Sequence, residues 1–126
     1  MAHAEFLRQE GGDDLAVEQI KDDWRQMDLT EAEHAMLEWT EKLTRHPAMM
    51  TQGDVQRLRD VGWTDRDILD IAHVCAYFNF RVRIVDGLGL ELGEWQVTRA
   101  KAGAGRAAKL AEERGVAMPA DPWGVR

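Results

Sequence analysis

The chain has 126 residues, 44% of them apolar and 31% charged, which suits one globular domain with a single core and excludes a disordered chain. Its net charge of −7 is uneven: residues 1–94 hold 10 Lys/Arg against 20 Asp/Glu, and residues 95–126 hold 6 against 3. The acidic body excludes a nucleic-acid partner, whose phosphates demand basic groups, and the lone cysteine excludes an intrachain disulfide or a Cys-only metal site.

The elements are predicted to be helices throughout, near residues 3–10, 14–25, 31–45, 52–60, 65–86 and 96–114. Few prolines and no alternating strand pattern favour an all-α fold. Val17, Ile20 and Trp24 form a weak apolar stripe on the second of these helices. Thr30 to Glu33 spells a capping box, in which the hydroxyl takes one free N–H and the acid reaches back to another. Ala32, Ala35, Met36, Trp39 and Leu43 then recur at steps of three and four, which is one buried stripe. Before Pro47, His46 closes this helix. Thr51 with Asp54 and Thr64 with Asp67 repeat the box with a shorter acid. Met50 with Val55 and Trp63 with Ile68 stand at staple spacing. Gly62 suits a left-handed helix end. Gly103 and Gly105 weaken the last helix, and residues 119–126 read as coil.

The segment Ala72–Leu92, AHVCAYFNFRVRIVDGLGLEL, reads as a buried helix that is apolar on nearly every side. Its polar residues therefore need partners. Cys75, between Val74 and Ala76, is read as an inert core residue; reactivity would require exposure and a neighbouring cation. Asp70, His73 and Tyr77 share a face and admit two readings, a proton relay or a buried His73 satisfied by its neighbours; the second is favoured. Arg83 and Asp86 are spaced to pair. The histidines lack metal-ligand spacing, so neither metal nor cofactor is expected. Residues 51–85 also imitate a helix-turn-helix, but Asp65 and Asp67 would meet phosphate, so a DNA-reading role is set aside.

Phe78-Asn79-Phe80, Arg83, Asp86 and Leu88-Gly89 resemble the end of the last core helix in the alkylhydroperoxidase-D-like (carboxymuconolactone decarboxylase-like) family, in its peroxidase-related branch. The similarity extends upstream through Leu29-Thr30, Ala35-Met36-Leu37, Lys42 to Arg45, Pro47, Met50-Thr51, Asp54-Val55, Gly62 and Asp67-Ile68, spanning His3 to Leu92. It implies a helical bundle. Residues 1–94 would be the C-terminal part of the family fold, truncated at the N-terminus, with 95–126 a basic, partly helical extension. The extension lies beyond the resemblance, and its charge admits two readings, docking on an acidic surface (its own or a neighbour's) or a solvated tail. In the family a Glu, a Cys-x-x-Cys and a later His form the active site. One thiolate reduces a hydroperoxide, its neighbour resolves the sulfenic acid as a disulfide, and a thiol or lipoyl reductant restores the pair. His3 stands at the family's His position, and the two cysteines would fall just before Met1.

The resemblance therefore implies the scaffold of an antioxidant oxidoreductase without its thiols, inactive by itself. His3, without a nucleophile, is read as solvated. Met1 is read as a candidate internal methionine of a longer form that carries the pair. One alternative is a non-catalytic helical oligomerisation or binding module. Another is a decarboxylase-like acid/base enzyme, in which His73 would be the candidate group, as Cys75 would be in a one-cysteine peroxidase. Asn79 and Arg83 resemble residues that tie helices together, although Val82 replaces a common Asn. Homo-oligomerisation is expected, helped by five tryptophans. No apolar run reaches the roughly 18 uncharged residues of a bilayer span. No signal-peptide pattern opens the chain, so a cytoplasmic protein without a membrane partner is expected.

Overall fold

The computed structural model describes residues 11–91 and 93–120. The described residues form five α-helices and two short 3-10 turns, without strands. We number them α1 (Asp14–Asp23), α2 (Glu31–Arg45), α3 (Gln52–Asp60), α4 (Asp65–Gly87) and α5 (Glu94–Arg114). The all-α expectation holds, and α2 and α3 begin and end where the sequence places them. The helix expected at 3–10 and the coil beyond residue 120 lie outside the described residues.

The chain divides into two units. One contains α2, α3 and α4, within residues 28–91; the other contains α1 and α5. A division at residue 94 does not describe this grouping, because α1 packs with the C-terminal helix.

In the first unit the local signals act as caps. Thr30 and Glu33 exchange both bonds, with the Glu33 N–H donating to the Thr30 hydroxyl at 3.2 Å and the Thr30 N–H to the carboxylate at 2.9 Å. Thr64 and Asp67 make the same reciprocal pair at 3.2 and 2.9 Å. At Thr51 the acid's half is made, with its N–H donating to Asp54 at 2.7 Å, while the Asp54 N–H bonds the Thr51 carbonyl. Gly62 turns the chain between α3 and α4 at φ +105°, a conformation other residues rarely adopt. The core is Ala35, Trp39, Leu58 and Ile68, with both staples packed against it. Trp63 Nε1 donates to the Ala32 carbonyl at 2.8 Å, which fixes the α3–α4 turn to the first turn of α2.

Asp54 also receives Lys42 Nζ, at 2.6 and 2.8 Å to its two oxygens. The Lys42 and Thr51 hydrogen bonds, in that order, lower its carboxyl from 3.8 to about 2. Because the folded value lies below the unfolded one, the stability Asp54 contributes is present above 3.8 and is lost as pH falls through about 2. The melting temperature of the wild type should therefore fall more steeply than that of Asp54→Asn as pH drops from about 4 to about 2. Parallel slopes would show that the cluster is not retained in solution.

The second unit is a close helix pair. Gly103, Ala104, Ala107 and Ala111 are buried on α5, and Leu15, Val17 and Glu18 on α1. Small residues on one helix let another approach closely, and Gly103 is buried here despite its low helix propensity. Glu18 is wholly buried, with Lys21 Nζ 2.7 Å from each carboxylate oxygen. The basic helix binds acids of its own chain: Arg106 reaches both oxygens of Asp14 at 2.7 and 3.1 Å, and Arg114 reaches Asp13 at 2.9 Å. Among the described residues no helix is long and apolar enough to cross a membrane.

Candidate functional site

In the first unit, an open groove of about 610 Å³ runs between α2 and α4. Met36, Leu37 and Thr40 line it from α2; Ile71, Val74, Phe78 and Val82 line it from α4. Along it lies a small polar cluster. Met36, Thr40 and Thr44 recur every four residues on α2, and Cys75 and Asn79 do so on α4, so each set projects from one helical face.

Cys75 is 6% exposed. Its Sγ lies 3.6 Å from the Thr44 hydroxyl, 3.4 Å from Asn79 Nδ2 and 3.8 Å from the Thr40 carbonyl. Asn79 Nδ2 also donates to the Thr44 hydroxyl and to the Cys75 carbonyl, both at 2.9 Å. Arg83 Nη1 in turn donates to Asn79 Oδ1 at 2.9 Å and to the Asn79 carbonyl at 3.0 Å. Arg83 thus orients the Asn79 amide, and the amide ties α4 to α2. The described neighbours of the sulfur are a hydroxyl, a carbonyl and an amide. The nearest cation of this chain of contacts, Arg83, acts on Asn79 and not on sulfur. A thiolate nucleophile requires a cation or a helix N-terminus beside it, and Cys75 sits in the middle of α4.

The other sequence-predicted residues fall elsewhere. His3 lies outside the described residues. His73 is exposed and not buried, as are Asp70 and Tyr77. The three share a face as their spacing requires, but no hydrogen bond among the described residues joins them. Arg66 Nε donates to Asp70 at 3.1 Å, and Arg81 Nη1 lies 3.4 Å from the Tyr77 hydroxyl. Arginines one turn away have taken the two ends of the relay. Arg83 takes Asn79 in place of the expected Asp86. Helix α4 as a whole is far more exposed than its composition predicts, with only Ile68 and Cys75 buried. Thr44 is the site residue that sequence reading passed over. Its signal was the four-residue row from Met36 through Thr40.

No group of three His, Cys, Asp or Glu among the described residues could hold a metal ion. The groove is therefore an apolar surface with a hydrogen-bonded polar seam.

No family model matches the sequence. No curated protein matches it. Among solved structures, the chain is similar to an uncharacterized peroxidase-related protein from Silicibacter sp. TM1040, with 32% identity and a TM-score of 0.68. The match covers 74% of this chain and 49% of that one, so the chain spans about half the length of that structure.

Proposed function

We propose that this chain is the C-terminal part of a peroxidase-related, alkylhydroperoxidase-D-like scaffold and that, by itself, it does not reduce peroxides. The likeness to the Silicibacter peroxidase-related protein supports the first half. The second half rests on one observation, the surroundings of Cys75: a buried sulfur held by Thr44 and Asn79, without a cation against it. Peroxide reduction by a thiol needs an accessible thiolate and a second thiol to resolve its sulfenic acid. Cys75 is the sole sulfhydryl of the sequence, so the second group is not in this chain.

In this reading Cys75, Thr44, Asn79 and Arg83 are structural. They hold α2 against α4. A longer form with an upstream cysteine pair would place its redox chemistry near the position of His3, and the thiol or lipoyl reductant belongs to that form. The exposed, unlinked Asp70, His73 and Tyr77 give a decarboxylase-like acid/base reading no assembled catalytic group.

The test is a coupled assay of the purified chain with hydrogen peroxide or tert-butyl hydroperoxide and either dithiothreitol or dihydrolipoamide. Consumption should equal that of a protein-free control and be the same for Cys75→Ser. Turnover that Cys75→Ser abolishes would refute the non-catalytic assignment.

A further inference from the structure

We draw no further inference here: the strongest candidate, the apolar groove between α2 and α4 lined by Leu37, Ile71, Val74, Phe78 and Val82, carries none, because its polar side chains Thr44 and Asn79 are bonded to each other and nothing in the structure shows what covers its apolar walls.

Discussion

Leu58→Ala should destabilise the unit built from α2, α3 and α4 by about 2–5 kcal/mol, read as a shift in the urea or thermal midpoint. Leu58 is fully buried and stands in the core with Ala35, Trp39 and Ile68. Truncation removes its transfer free energy and leaves a cavity that surrounding helices fill only in part. The effect outweighs loss of a helix cap, worth about 1 kcal/mol, because a cap exchanges one hydrogen bond with water while a core leucine loses dozens of contacts. The position is also diagnostic. Leu58 lies on the short α3, whose other residues are all at least partly exposed, so this side chain is what anchors α3. An effect below about 1 kcal/mol would mean that α3 is not packed as described.

Ala107→Asp should cost about 3 kcal/mol or more and loosen the α1–α5 pair. Ala107 is 0% exposed, among Gly103, Ala104 and Ala111 on the buried face of α5. A carboxylate there would lack room and a compensating cation. The two arginines that reach α1, Arg106 and Arg114, are already committed to Asp14 and Asp13. Hydrogen exchange of the α1 and α5 amides should accelerate by orders of magnitude, since exchange follows the free energy of opening. Unchanged protection would place α5 off α1. The control is Lys109→Asp, exposed on the same helix, which should move stability by only a few tenths of a kcal/mol.

What could be read from the sequence divides by range. The starts of α2, α3 and α4 were legible because caps and staples are local: Thr30, Thr51 and Thr64 act on residues three or four positions away. The helical period around Trp39 likewise names the core side of α2. Choice of partner was not legible. Asp70, His73 and Tyr77 share a face as their spacing states, but Arg66 and Arg81 are also one turn away and win the carboxylate and the phenol. Burial was misread for α4, because apolar composition says that a surface is to be covered and not by what. The weakness assigned to α5 from Gly103 and Gly105 failed for the opposite reason. Propensity counts the missing side chain as a loss, yet Gly103 is buried within a helix that forms all the same. Thr44 lies in a stretch that carries the resemblance, but its role was not legible, because a threonine near a helix end reads as ordinary until Asn79, 35 residues on, donates to it.

The central claim concerns one sulfur atom: Cys75 is a packing and hydrogen-bonding group in the α2–α4 seam, not a redox nucleophile. The rate of iodoacetamide alkylation at neutral pH, in the native chain and in the same chain unfolded in urea, tests it directly. A buried thiol without a neighbouring cation should react at least about 100-fold more slowly when folded. A native rate equal to or above the unfolded rate would contradict the account, because it would require an accessible, activated thiolate at Cys75.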